Sequence, residues 1–582
     1  YGLGDYGALG NTGGSVRETS NVVGVNRTTR GSFTNWNSVA RFISNFSIAP
    51  QLGFAQVLFE TDDKRVAITD EQTLLGAYKT KKVDGLYYFF GTMEQIYADY
   101  KAVRNAAGYV DTKPHYEMFG LGWEAFGSLG WNAFQTSVIS TLTDYLNSGY
   151  HLTWGVIGSG FWTGDRKALE GTTTSFGMWD DTKAAEGRSD GLPNPRFPDP
   201  AALKQFFQAN NMKLLLGLRN HFKLPVEYGG KWDASVDGNF VTEALQQGYL
   251  LKNDDGSLYT VDAKYPTGGI ERGKAGVLDA ENPAAVEWFA ERADLWGADG
   301  FKEDCMMLQT THHDDNWNKL LQYMSEQKDD YMIVRNASYC LPGDVLRIND
   351  ANYGTSNSSF NNSPDRMVIN ALAYAASGQS NVYPDIIGGT GANVNDPAQQ
   401  NYIVRNAYMA ALCPSQSVGV NVLKMNNQSM KDAAFRAINW HSTYTPYIYD
   451  AALKSYETGY PLSMTPLYIA YPDDTNTYDM INSQKRMFQW MLGESVLAAP
   501  LFGTDHQTAT SRDVYLPEGK WIQYDTGEVF YGPQTLKDWE SPIDQMPAFI
   551  GGKGVLIGED FENNSYFAEV FPVAEKGSVY TY

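Results

Sequence analysis

Residues 1–114 carry short apolar runs broken by Gly, Asn, Ser and Thr, as in Phe54-Ala55-Gln56-Val57-Leu58-Phe59 and Val83-Asp84-Gly85-Leu86-Tyr87-Tyr88-Phe89-Phe90. Alternating runs of that length between turn formers predict antiparallel β structure. The period then changes: Met93, Ile96, Tyr97, Tyr100 and Val103 recur three and four apart, which predicts a helix over 93–107. From Tyr116 to about Tyr460 short apolar strands alternate with longer helical stretches, the pattern of parallel βα units. Strands are predicted at 152–157, 213–218, 276–278, 300–302, 331–334, 345–348, 381–383 and 418–420. Eight of them suggest a closed (β/α)8 barrel. The helical stretches 199–207 and 282–289 open with Asp or Asn and then Pro, which suits a first turn because no intrahelical N–H bond is lost there. A polar insertion over about 227–274 separates the second and third predicted strands and contains a hairpin-like Asn253-Asp254-Asp255-Gly256-Ser257; it is expected at the barrel rim. Beyond Tyr460 short strands with turn residues return, as in Asp513-Val514-Tyr515-Leu516-Pro517-Glu518-Gly519-Lys520-Trp521, predicting a β-sandwich.

Composition narrows the class. The 582 residues include 45 Lys and Arg against 67 Asp and Glu, a net charge of −22. With no basic patch, nucleic acid is excluded as a partner, because a phosphate backbone would be repelled. Hydrophobic residues at 43% with 19% charged describe a globular chain rather than a disordered one. No run of about 18 apolar residues exists to span a bilayer, and the opening YGLGDYGALG lacks the basic and apolar regions of a signal peptide. No membrane insertion is expected. Cys305, Cys340 and Cys413 offer neither a disulfide framework nor the CxxC spacing of a zinc site. The 14 Trp, 37 Tyr and 28 Phe supply flat rings that suit sugar faces and fill cores equally well.

In a parallel barrel the chemistry sits at the carboxyl ends of the strands. Asp304 ends the fourth predicted strand, Asp350 the sixth and Asp385 the seventh, while Asp279 follows the third. Acids converging in an aromatic-lined pocket suit glycoside cleavage, where one carboxylate attacks or activates water and the other protonates the leaving oxygen. Any one such Asp serves equally as a cap, an Asx turn or an ion-pair partner, and the run of strand-end acids is what favours the catalytic reading. No HxH or HExxH lies near them, so no metal is expected.

These residues identify the chain as resembling glycoside hydrolase family 31, retaining α-glycosidases and their relatives, over almost its whole length. Tyr1-Gly2-Leu3-Gly4-Asp5 resembles the YGLGE stretch of the family's amino-terminal β-sandwich. Asp299-Gly300-Phe301-Lys302-Glu303-Asp304 resembles the DGFKxD nucleophile motif, and Asp385-Ile386-Ile387-Gly388-Gly389 is similar to DIGGF with one extra Ile. Tyr447 to Pro472 resembles YLYSLAYEAHETGEPVMRPLFLEYP. The resemblance implies that Asp304 is the nucleophile and Asp350 the general acid/base, with Arg335 and Asp385 holding sugar hydroxyls and Lys302 and Arg335 keeping Asp304 ionised. It implies no cofactor and an α-linked oligosaccharide or glycoconjugate as substrate.

Departures from the pattern fall where the sugar is read. A WTDID-like run becomes Trp154-Gly155-Val156-Ile157-Gly158, without its acid, and a PFMRVH-like run becomes Pro414-Ser415-Gln416-Ser417-Val418-Gly419, so that Ser417 and Gly419 replace Arg and His. Losing hydroxyl partners argues against ordinary glucose recognition, and an α-galactoside is the expected alternative, with Trp123, Glu124, Trp162 and Asp165 as candidates to read an axial hydroxyl. By residue type alone Trp123 and Trp162 would pack at the rim, and Glu124 and Asp165 would lie at the surface. The three Cys have no His neighbour and read as buried thiols. N-x-S/T sites at Asn26, Asn45, Asn357, Asn427 and Asn563 would accept glycans in a secretory host.

The expected architecture is α/β: the remainder of an amino-terminal β-sandwich at 1–114, truncated so that a further piece precedes Tyr1 in the intact protein, a (β/α)8 barrel at 115–462, a proximal carboxyl-terminal β domain at 463–545, and the start of a distal one at 546–582. The expected activity is retaining exo-α-glycoside hydrolysis, extracellular or periplasmic. Its alternatives are an α-glucosidase or α-transglycosylase, or a catalytically silent carbohydrate-binding relative.

Overall fold

The computed structural model describes residues 1, 46–59, 64–68, 73–77, 85–130, 133–158, 197–218, 221–224, 226–229, 239–264, 271–294, 297–303, 316–335, 339–348, 353, 364–389, 391–478, 480, 487–503, 509–574 and 577–579. Two compact units are formed, one by Gly122–Ala337 and the other by Tyr1–Leu121 with Ser338–Tyr582.

The first unit is built on parallel strands in chain order, Leu121–Glu124, Leu152–Ile157, Lys213–Leu218, Gly300–Glu303 and Tyr331–Val334. Their residues are buried almost throughout, as expected where helices cover a parallel sheet. The helices Pro200–Ala209 and Pro283–Ala293 start where the sequence indicates. Asp199 accepts from the Ala202 amide at 2.9 Å and Asn282 from that of Ala284 at 3.1 Å, each with Pro in the first turn.

Several strands differ from the sequence reading: the one expected at 418–420 is Gln416–Val418, and Ile386–Ile387 is an additional strand of the same sheet. The run 276–278 is not a barrel strand: Glu271–Val277 pairs antiparallel with both His221–Lys223 and Thr260–Lys264, forming the sheet of the insertion. Leu121–Glu124 takes its place in the parallel set, so Leu152–Ile157 is second in order rather than first. Only four residues long and holding a Gly, it carries a weak strand signal. That glycine is required, because a Cβ on Gly122 would lie 2.2 Å from the Trp154 ring. The insertion's turn forms as read, with the Asn253 amide bonded to the Ser257 carbonyl at 2.8 Å.

In the second unit Val345–Arg347 pairs parallel with Val382–Tyr383, and Ile386–Ile387 with Gln416–Val418. Helices Pro364–Ala376, Pro397–Ala411, Gln428–Thr443 and Thr445–Thr458 accompany them. Phe46–Ala49, Phe54–Leu58 and Leu86–Phe90 make an antiparallel sheet followed by the helix Met93–Ala106, which opens with a reciprocal Thr92–Gln95 capping box. A six-stranded sheet runs from Thr465–Pro466 through Val529–Glu540 and includes Ala548–Ile550, so it extends past residue 545. The hairpin Val555–Asp560 with Ser565–Val570 stands as its own two-stranded sheet. Among the described residues no helix is long and apolar enough to cross a membrane.

Candidate active site

Within Gly122–Ala337 the carboxyl ends of the parallel strands carry a compact set of charges. Lys302, the third residue of Gly300–Glu303, donates from Nζ to Oε2 of Glu124 at the end of Leu121–Glu124, and the two side chains are 10% and 3% exposed. Strand pleating puts Glu303 on the opposite face from Lys302. Glu303 is fully buried, and its Oε2 accepts from the backbone amide of Arg335, 2.7 Å away at the end of the next strand. Arg335 is itself buried. Asp299 works at the other end of the strand, accepting from the Leu214 amide at 2.7 Å and pairing with Lys204 at 2.6 Å. It is a structural acid that registers two strands.

A second set lies within the other unit. Arg347 ends Val345–Arg347 and donates from Nε to Asp385 Oδ1 at 2.9 Å, with side-chain exposures of 7% and 2%. Asp385 sits in the turn between Val382–Tyr383 and Ile386–Ile387 with φ +72°, a backbone setting that non-glycine residues adopt at some cost and that clusters at functional positions. Burial, and then the Asp385 carboxylate, pushes the Tyr402 phenol well up, so it remains a proton donor throughout the working range. The Tyr383 and Ser417 hydroxyls are hydrogen-bonded to each other. A Cβ on Gly419 would fall 2.7 Å from Ile386 Cβ and 2.9 Å from its Cδ1, so Ile386 occupies the space a larger residue at 419 would need.

Of the residues singled out by sequence, Asp304, Asp350, Trp162, Asp165 and Cys305 lie outside the described residues. Lys302, Arg335 and Asp385 are at strand ends and buried. Glu124 is 2% exposed and not a surface residue, because Lys302 neutralises it. Trp123 is fully buried in the strand rather than at a rim, and its indole N–H goes to Ser128 Oγ at 3.1 Å. As strand neighbours, Trp123 and Glu124 point to opposite faces. Asp279 does not follow a barrel strand; its carboxylate caps a turn by accepting from the Glu281 amide at 3.1 Å. Cys413 is buried and burial pushes its thiol up, away from the reactive range; Cys340 is also buried. Among the described residues no group of three or more His, Cys, Asp or Glu is placed to hold a metal ion.

Sequence reading passed over Glu303 and Arg347. The signal for both was a charge inside an apolar strand, Gly300-Phe301-Lys302-Glu303 and Val345-Leu346-Arg347, which folding tolerates only with a partner.

A family model described as "Glycosyl hydrolases family 31 TIM-barrel domain" matches residues 169–410, and one described as "Glycosyl hydrolase family 31 C-terminal domain" matches residues 459–556. Together they cover more than half of the chain. An isomaltosyltransferase of Sporosarcina globispora is 27% identical over 395 residues, 62% of this chain and 34% of that protein. The α-xylosidase XylQ of Lactiplantibacillus pentosus is 24% identical over 391 residues, 62% of this chain and 46% of that protein. The chain thus spans less than half the length of either relative. A cycloalternan-forming enzyme from Listeria monocytogenes, solved with a pentasaccharide substrate, has the same fold with a TM-score of 0.73 at 16% identity, over 97% of this chain and 53% of that one. The fold is therefore a (β/α)8 barrel flanked by β domains.

Proposed function

The chain belongs to glycosyl hydrolase family 31, and from that premise we propose that it cleaves α-glycosidic bonds with retention, through a covalent glycosyl ester on Asp304. The observation that carries the reading is the buried Lys302–Glu124 pair two residues from Asp304 in sequence. A cation held in a low-dielectric strand end stabilises a neighbouring carboxylate and so a nucleophile. Asp304 attacks the anomeric carbon as the bond to the leaving oxygen breaks, and Asp350 gives that oxygen its proton. In the second half Asp350 takes a proton from water, whose oxygen displaces Asp304. Two inversions leave the α configuration. The geometry needs carboxyl groups about 5 to 5.5 Å apart.

Arg335 and Asp385 would hold hydroxyls of the sugar. With Ser417 and Gly419 where the family pattern has Arg and His, and with Ile386 filling the gap at 419, the wall offers fewer charged partners than a glucose site, which supports a different glycone such as an α-galactoside. A second reading is transfer of an α-glucosyl or isomaltosyl unit to a sugar acceptor. It is favoured by the relative named isomaltosyltransferase and the neighbour named cycloalternan-forming, and it needs only that a sugar hydroxyl replace water in the second step. An acidic chain, at −22 net charge, with no cofactor motif suits an extracellular or periplasmic polysaccharide degrader.

Initial rates on aryl α-galactoside, α-N-acetylgalactosaminide, α-glucoside and α-xyloside, with and without maltose as acceptor and with D304N as control, test all of this. Galactoside hydrolysis abolished by D304N is the expected result. Glucoside turnover that rises with maltose would move the assignment to the transferase. No turnover of any substrate would point to an unusual sugar, a demanding acceptor or a carbohydrate-binding role.

A further inference from the structure

Asp385 is held in an unusual way. Its backbone is left-handed at φ +72° and its side chain is 2% exposed. Among the described residues its carboxylate has one hydrogen-bond partner, Arg347 Nε on Oδ1 at 2.9 Å, and Oδ2 has none. Arg347 stands directly beside Tyr383 in the parallel pair of strands, while Ser417 stands beside Ile386 in the next pair. The position that carries Arg in the family pattern is therefore one residue across from the Asp385 turn. Here it is Ser417, engaged with the Tyr383 hydroxyl, and the cation beside Asp385 comes from position 347 instead.

We propose that Arg347 is a positioning residue for sugar recognition: its Nε fixes the Asp385 carboxylate so that Oδ2 faces a hydroxyl of the glycone, a task that the chain's Ser417 leaves undone. This rests on the retaining α-glycosidase reading above. A guanidinium bond from the side orients the carboxylate plane, and a carboxylate locked in that plane distinguishes a sugar that offers the hydroxyl from one that lacks it, because the unmatched acceptor would stay buried without a partner. Arg347 acts on the sugar through Asp385. It also differs from a plain folding ion pair, since Asp385 already meets the cost of a left-handed backbone, which a structural bridge does not require.

The test couples protein and substrate. Wild type, R347M, R347K and D385N are confirmed folded by circular dichroism. Then kcat and KM are measured on the aryl α-glycoside that the wild type cleaves and on its monodeoxy analogues. The hydroxyl read by Asp385 is the one whose removal harms wild type but not D385N. We expect removal of that hydroxyl to cost wild type about 10- to 100-fold in kcat/KM, to cost R347M less than threefold, and to cost R347K an intermediate factor, while the other deoxy analogues lose equally in all variants. Equal losses for R347M on every analogue, or full wild-type sensitivity in R347M, would overturn the role and leave the α-glycosidase reading standing. If R347M does not fold, wild-type sensitivity in R347K overturns it. A wild type silent on every α-glycoside brings down the function and this role together.

Discussion

Breaking the Lys302–Glu124 pair separates its structural part from its chemical one. Both side chains are buried, 10% and 3% exposed, and in direct hydrogen-bonding contact. At an effective dielectric of about 20, unit charges about 3 to 4 Å apart attract by about 4–6 kcal/mol. Removing one partner leaves an uncompensated buried charge and costs about 3–5 kcal/mol, whereas replacing both with apolar residues of similar volume is often neutral. K302M and E124M should therefore each lower the urea midpoint sharply, and K302M/E124M should recover most of the loss. Stability alone would then look restored. Catalysis should not be: if Lys302 keeps Asp304 ionised, removing its charge raises the nucleophile's pKa by about 1–3 units. Because Asp304 must be deprotonated to attack, the acid limb of kcat/KM should move to higher pH by that amount in the double variant relative to E124M, since both lack the opposing Glu124 charge. The measurement is a pH profile of kcat/KM beside the urea curve. A double variant that is stable and keeps the acid limb of E124M would refute the assignment of Lys302 to the nucleophile. Double-variant stability no better than that of the singles would refute the buried-pair account.

Two further tests concern the other unit. G419A brings a Cβ to 2.7 Å from Ile386 and should cost about 1–3 kcal/mol by overpacking; I386A should cost about 2–5 kcal/mol as a cavity. The double variant should be less destabilised than the sum of the singles, and strict additivity in chemical denaturation would show that Ile386 does not fill that space. His441 is fully buried between the carbonyl oxygens of Ala411 at 2.9 Å and Phe119 at 2.7 Å, and burial lowers its pKa to about 4 against those two contacts. The folded state keeps the ring neutral while the unfolded chain takes up the proton below about pH 6.5. Stability is thus full above pH 6.5 and falls, by up to about 3 kcal/mol, as pH drops towards 4. H441Q should flatten that part of the Tm-against-pH curve relative to wild type; parallel curves would contradict the neutral ring.

Strand ends were readable because a buried parallel strand announces itself as an apolar run, and the residue after the run is then placed by topology alone. Asp385 was found in this way and stands beside the strand Val382–Tyr383; Lys302 and Arg335 came from the family resemblance alone, and both stand at strand ends. What failed was short or mixed. Leu121–Glu124 is four residues with a Gly that exists to admit Trp154, a reason visible only in three dimensions. The run 276–278 looked like a barrel strand because its last residues are apolar, yet its pairing partners come from a hairpin about ten residues upstream and from His221–Lys223. Pairing partners, unlike hydrophobicity, are not local. Glu124 was misjudged for the same reason: a carboxylate is a surface residue until a cation from a strand 178 residues away is brought against it.

The changes at the sugar-reading wall bear on whether the chain has decayed into a binding protein or shifted to another substrate. Loss of the Arg and His alone would fit either history, since both remove charge. Decay leaves gaps and unpaired groups, because nothing maintains the fit once turnover no longer matters. Here the changes at 417 and 419 are both accommodated. Ile386 packs into the space at Gly419, Ser417 is bonded to the Tyr383 hydroxyl, and Arg347 is ion-paired with Asp385. Asp385 adopts a left-handed backbone despite its cost. Side chains held by packing and ion pairing are preorganised, and preorganisation is what a transition state demands more than simple binding does. On the reading proposed above, coordinated packing and pairing around one acid favour a changed sugar over a lost reaction.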